Sequence, residues 1–264
     1  MNDTDRSIAT LYDTLLGSEP GKVATAGYAV HKRLRFPSEW HAQGILDSND
    51  WLRQNLKLGS ADRILDAGCG VGGTLFALLG EERSGVGLTL SGQQIALARA
   101  EADRRGLGDR LRFLQQSYDE PAGDQFDLII SVEALVHSQH LGETLRGLRN
   151  QLAPGGQLVI LEDMATQDLR DQPQARMLRQ SWHLPSLPQH QTYRTCFDEL
   201  GLKIVEEIDF TDYVHRRSWP GWLVSSAWRL VSKRSSTAIY VGGLAQELLY
   251  QKGLLTYRLI RARS

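Results

Sequence analysis

The stretch "ILDAGCGVGGT", residues 64–74, decides how the rest of the chain is read. An apolar run carries one acid, Asp66, and is closed by Gly68, Gly70, Gly72 and Gly73. Such a run ended by glycines reads as a short buried strand, Arg63 to Ala67, followed by a tight turn. Glycine lets the backbone turn sharply and approach a ligand closely.

Working outward, strand and helix alternate. "TLFALLG" reads as a helix ending at Gly80, and Ser84 to Leu90 as a second strand. "SGQQIALARAEADRRG" follows with good helix formers, an N-cap signal at Ser91 and a stop at Gly106. "LRFLQQS" is a third strand and Phe126 to Glu133 a fourth, the most apolar. The helix "HLGETLRGLRNQL" leads into "APGG", expected as a turn, and then into a fifth strand, "QLVILEDM". The helix "QTYRTCFDELG" and the strands "KIVEEIDF" and "LLTYRLIRA" complete the series. Alternation of this kind implies parallel β-α-β units with right-handed crossovers. Ligands of such sheets bind past the carboxyl ends of the strands, near the switch in strand order, which is where these glycines fall. Three segments break the rhythm: residues 1 to about 58, which read as helical, the excursion 165–188, and an insert from about 211 to 252.

Composition bounds the partners. The chain has 264 residues, 41% hydrophobic and 23% charged, with a formal net charge of -1. That balance creates no global field for nucleic acid or an anionic membrane. No apolar run reaches the length of a membrane span, and a cytoplasmic protein is expected. Cys69 and Cys196 have no partners at metal-ligand spacing. His137 and His140 form an H-x-x-H without supporting carboxylates, so no metal is expected.

Residues 68–73 also fit the dinucleotide pattern GxGxxG. Asp66 sits two residues before the first glycine, where it would repel a pyrophosphate and favour a ligand with a positive amine. Taken with "FDLIISVEALVHS" and "LRGLRNQLAPGGQLVI", the stretch resembles the class I S-adenosylmethionine-dependent methyltransferases over roughly residues 60–163. The resemblance implies a three-layer α/β/α, Rossmann-like sheet of seven strands, the last antiparallel. A helical cap would come from residues 1–58 and from the lid insert, with the methyltransferase domain spanning 59–264. It implies S-adenosylmethionine as cofactor and S-adenosylhomocysteine as product. Asp66, Gly68, Gly70 and Gly72 would hold the methionine part, and Ser131, in the strand-four motif, is counted with them.

The second strand lacks the acid that most members use to bind the ribose. Its "GLTLSGQQ" instead resembles the subgroup of cyclopropane-fatty-acid and mycolate-modifying enzymes, tocopherol, sterol and prenyl-diphosphate C-methyltransferases. There Thr89, Leu90, Ser91 and Gln94 would make the ribose contacts without a charge. Ser117 and Tyr118 replace the usual Gly-Asp at the adenine. Glu133 resembles the acceptor-pocket Glu of C-methylating relatives, which stabilises cationic charge or removes a proton. His137 lies four residues on. A helical turn would bring the two together, and the carboxylate would raise the imidazole pKa.

Tyr213, Trp219, Trp222, Trp228 and Tyr240 crowd the insert and suggest an aromatic lid. Tyr28 and Trp40 are further substrate-contact candidates. Lys32, Arg33 and Arg35, with Arg216 and Arg217, offer a phosphate clamp or merely a solvated face. The expected activity is methylation of a small hydrophobic metabolite. Carbon is favoured over oxygen or nitrogen because Glu133 and the "GLTLS" turn travel together in that subgroup. Cyclopropanation of a lipid and a cofactor-binding scaffold are the alternatives. A homodimer is left open.

Overall fold

The computed structural model describes residues 2–17, 31–36, 45–60, 62–214 and 235–264. Helix α1 (Asp3–Gly17) places Ile8, Leu11, Tyr12 and Leu15 on one face by their three- and four-residue spacing. Strands β1 (Arg33–Arg35) and β2 (Ile45–Asp47) pair antiparallel. Helix α2 (Ser48–Asn55) follows, capped by the Asp47 side chain, which accepts from Asp50 N. The N-terminal segment, expected to be helical, therefore contains a hairpin. Alternation decides it: Leu34 is buried between exposed Arg33 and Arg35 and bridges Val214, while Arg35 N donates to Tyr213 O.

The main sheet comprises β3 (Arg63–Ala67), β4 (Ser84–Thr89), β5 (Leu111–Gln115), β6 (Phe126–Val132), β7 (Leu152–Ala165), β8 (Lys203–Asp209) and β9 (Leu255–Arg263). Their order is β5-β4-β3-β6-β7-β9-β8. Pairing is parallel from β5 to β7, and β9 runs antiparallel to both β7 and β8. The expected seven strands and antiparallel last strand are all present. Helices α3 (Gly73–Leu78), α4 (Gly92–Arg104), α5 (Leu141–Asn150), α6 (Pro173–Trp182), α7 (His190–Glu199) and α8 (Ser235–Gln251) complete the described elements.

Alternating strand residues feed two apolar layers. Leu128, Ile130 and Val132 enter one layer, and Ile129 enters the other with Leu145, Leu148 and Phe197. Burial of both faces explains why the central strands are apolar throughout. The "APGG" segment is not a free turn. It is a bulge within β7, where the partner register jumps from Phe126↔Leu152 to Leu128↔Gln157. The chain reverses strand order between β3 and β6, which opens the site at their carboxyl ends.

Candidate active site

Gly68 turns directly out of β3 with φ 101, a conformation L side chains rarely adopt. A Cβ there would lie 2.2 Å from the Ala134 Cβ, so only glycine lets the loop pass the end of β6. Gly72 serves packing instead: its Cβ would meet the Phe113 ring at 2.8 Å. Gly68 and Gly70 line a cavity of about 550 Å³, together with Thr89, Leu90, Ser91, Gln94, Ser117 and Tyr118. These eight expected cofactor residues converge on one wall.

Local bonds set their orientation. Ser91 caps α4 by accepting from Gln94 N at 3.1 Å. The Thr89 hydroxyl donates to Gln94 Oε1 at 2.6 Å, which turns the amide nitrogen of Gln94 toward Gly70. On the adenine side of the expected site, the Tyr118 hydroxyl donates to Ala134 O at 3.3 Å. Asp119, also on the wall, accepts from the Thr144 hydroxyl and from Ser117 Oγ.

Three expected cofactor residues stand off the cavity wall. Asp66 is buried beneath the loop, and its Oδ2 has no partner among the described residues. Burial raises its carboxyl to about 7. Ser131 donates to Ala67 O at 2.9 Å and ties β6 to β3 rather than facing a ligand. Gly72 is the third. The set still fits S-adenosylmethionine: the loop permits close approach, Gln94 offers an uncharged amide, and the unsatisfied Asp66 favours positive charge nearby.

Glu133 ends β6 at φ 54, one of two non-glycine residues with positive φ among those described. Left-handed backbone costs such a residue roughly 1–2 kcal/mol and is retained where surroundings enforce it. Here three contacts from two residues hold the carboxylate. Oε1 accepts from Tyr257 hydroxyl at 2.7 Å and Lys32 N at 3.1 Å, with Lys32 Nζ at 3.5 Å. Burial pushes the carboxyl up, but Lys32, His31 and these hydrogen bonds hold it below its ordinary value. Glu133 is thus an ionised group on the cavity wall.

His137 does not pair with Glu133. A 3₁₀ turn, Leu135–His137, follows the strand, and His137 Nε2 meets the Tyr12 hydroxyl at 2.9 Å. Burial, with His183 nearby, lowers the imidazole to about 4, the reverse of the expected shift. His137 is a neutral wall residue bridged to α1.

The sequence reading missed the acids ending β7. Glu162 Oε2 accepts from Val136 N at 3.2 Å, and burial followed by Asp163 and Glu133 raises its carboxyl to about 8. Asp163 binds Lys32 Nζ at 2.9 Å and also takes the Gln246 amide and the Tyr250 hydroxyl. Glu162, Asp163 and Lys32 all line the cavity beside Glu133. The cue was in "ILEDM": two acids in an apolar strand at its ligand end, the same oddity that marked Glu133.

Among the arginines beside Lys32, Arg33 and Arg35 are exposed on β1 and stand off the wall. Tyr213, expected at the substrate, packs on Phe36 with ring centroids 5.0 Å apart and is not on the wall. Tyr240 is 65% exposed. Tyr28, Trp40, Trp219, Trp222, Trp228, Arg216 and Arg217 lie outside the described residues. The remaining wall is apolar, with Ile8 and Leu15 from α1 and Leu178, Trp182, Leu184 and Leu187 from α6 and its exit.

Fold and site together define the Rossmann-like fold of class I methyltransferases. The chain belongs to the family described as the methyltransferase domain, whose model matches residues 35–207. A 24-methylenesterol C-methyltransferase 2 from Oryza sativa subsp. japonica is 26% identical over 226 residues, 81% of this chain and 61% of the relative. The chain spans less than two thirds of the curated sterol methyltransferases it matches. Among solved structures, geranyl diphosphate C-methyltransferase from Streptomyces coelicolor A3(2) superposes with TM-score 0.75 at 18% identity, covering 99% of this chain and 98% of that one. The [4+2]-cyclase SpnF superposes with TM-score 0.74 at 19% identity, covering 98% and 96%. At these identities the two structures report the fold. No described helix is long and apolar enough to cross a membrane.

Proposed function

We propose that this chain transfers a methyl group from S-adenosylmethionine to a carbon atom of a small, largely apolar acceptor of isoprenoid type. The observation that carries the reading is the ionised Glu133, strained at the end of β6 on the wall of a cavity to which α1 and α6 contribute apolar side chains. The named sterol and prenyl relatives support a carbon acceptor.

Bound S-adenosylmethionine supplies an electrophilic methyl group on a sulfonium. Gly68, Gly70 and Gln94 would hold it, with Tyr118 and Asp119 toward its adenine end. Ile8, Tyr12 and Leu15 on α1 exclude water from one side and Leu178 and Trp182 on α6 from another. Alignment of the two reactants supplies most of the rate. An acceptor double bond takes the methyl group as the C–S bond breaks and S-adenosylhomocysteine leaves, and Glu133 stabilises the positive charge this puts on the acceptor skeleton. It then takes a proton from carbon, and the C–H electron pair returns to the skeleton as a double bond. Lys32 and the Tyr257 hydroxyl keep Glu133 ionised and in place.

In this reading residues 1–58 and 211–252 cap the site, supported by the positions of α1 and α8. Its setting is the cytoplasm, supported by two free thiols, Cys69 and Cys196. Incubation with trideuteromethyl S-adenosylmethionine and isoprenoid-containing extracts, followed by mass spectrometry, tests the reaction. A labelled product whose fragments place the label on carbon is expected. Cofactor binding with no labelled product from any extract would favour a binding-only role, and label in a cyclopropane ring would favour lipid cyclopropanation.

A further inference from the structure

We infer that the acceptor enters without a phosphate or carboxylate, its reacting end uncharged or positively charged. This rests on the methyl-transfer reading and narrows its substrate class. Among the described residues, five carboxyl side chains line the cavity, Glu133, Glu162 and Asp163 together at one end and Asp5 and Asp119 elsewhere, and the ammonium in this lining is Lys32. That ammonium is already committed. It sits 2.9 Å from Asp163, 3.5 Å from Glu133 and 4.7 Å over the Tyr257 ring.

An anionic acceptor would have to draw Lys32 from both carboxylates and leave them buried and unpaired, which is strongly unfavourable. Neither carboxylate is placed to yield. Asp163 is fixed by Gln246 and Tyr250, and Glu133 by Tyr257 and the Lys32 backbone. A negative charge held roughly 6 Å from one unpaired carboxylate loses on the order of a hundredfold in affinity at an effective dielectric near 20. The same surplus attracts a cation and leaves a neutral alcohol or hydrocarbon unopposed.

The test uses the full chain loaded with S-adenosylhomocysteine, whose own binding is measured first by calorimetry. Geranyl diphosphate, geraniol and geranylamine are then titrated separately at low and high salt. We expect the alcohol and the amine to bind at least about tenfold tighter than the diphosphate. We also expect added salt to strengthen diphosphate binding, because it screens repulsion. Diphosphate binding equal to or tighter than the alcohol, or weakened by salt, overturns the inference, as does no binding of alcohol and amine. Failure to bind S-adenosylhomocysteine would instead remove the methyl-transfer reading on which it stands.

Discussion

Replacing Glu162 with Gln should make the stability of this protein much less sensitive to alkaline pH. Glu162 is buried, and burial with Asp163 and Glu133 lifts its carboxyl from 4.5 to about 8 in the folded state. The folded chain therefore favours the protonated form. The stability this contributes is complete below 4.5 and is lost progressively as pH rises through 8. At 1.36 kcal/mol per pH unit the whole interval corresponds to about 5 kcal/mol, and the part between pH 5 and pH 9 to about 4. Glu162 lines a cavity that water can enter, and rehydration of its charged form lowers this to about 2–4 kcal/mol. Gln keeps an acceptor for one of the two backbone amides, from Val136 and Asp163, that Glu162 now serves. The lost bond costs about 1 kcal/mol at every pH and leaves the slope untouched. Urea unfolding of both proteins at pH 5, 7 and 9 measures the effect. The variant should gain about 2–4 kcal/mol on the wild type from pH 5 to pH 9. Parallel curves would refute the assignment of a buried, proton-holding carboxyl.

Two further substitutions examine the same site. Lys32→Met strips the ammonium from between Asp163 and Glu133 and should cost about 3–5 kcal/mol in chemical denaturation, as for a broken buried pair; an unchanged midpoint would mean that the pairing contributes nothing. Gly68→Ala forces a methyl group to within 2.2 Å of the Ala134 Cβ at φ 101 and should reduce S-adenosylhomocysteine affinity at least about tenfold; calorimetry showing full affinity would contradict the reading of the loop.

The glycine-turn wall of the cavity was legible in the sequence because it is local. Gly68, Gly70, Thr89, Leu90, Ser91 and Gln94 lie in two strand-to-helix turns, and parallel β-α-β chirality places both turns at one end of the sheet. Ser91 was expected as an N-cap and is one, because the cap bond runs only three residues along the chain. Where local reading misplaced a residue, a long-range contact decided the outcome. Ser131 was drawn to Ala67 across the sheet, His137 to Tyr12 on α1, and Tyr213 to Phe36. The hairpin β1–β2 was missed because three-residue strands carry too little alternation to stand out.

The sequence by itself determined the sheet, the glycine loop and the oddity of Glu133, since each follows from a pattern read over a few neighbouring residues. Only the tertiary structure decided the charge of the cavity. Glu133 and Asp163 lie 101 and 131 residues from Lys32 along the chain, and they meet because Lys32, just before β1, reaches the ends of β6 and β7. Their protonation depends on burial and on which partner lies within hydrogen-bond reach. Both arise when separate elements pack, and neither is written in the order of the residues.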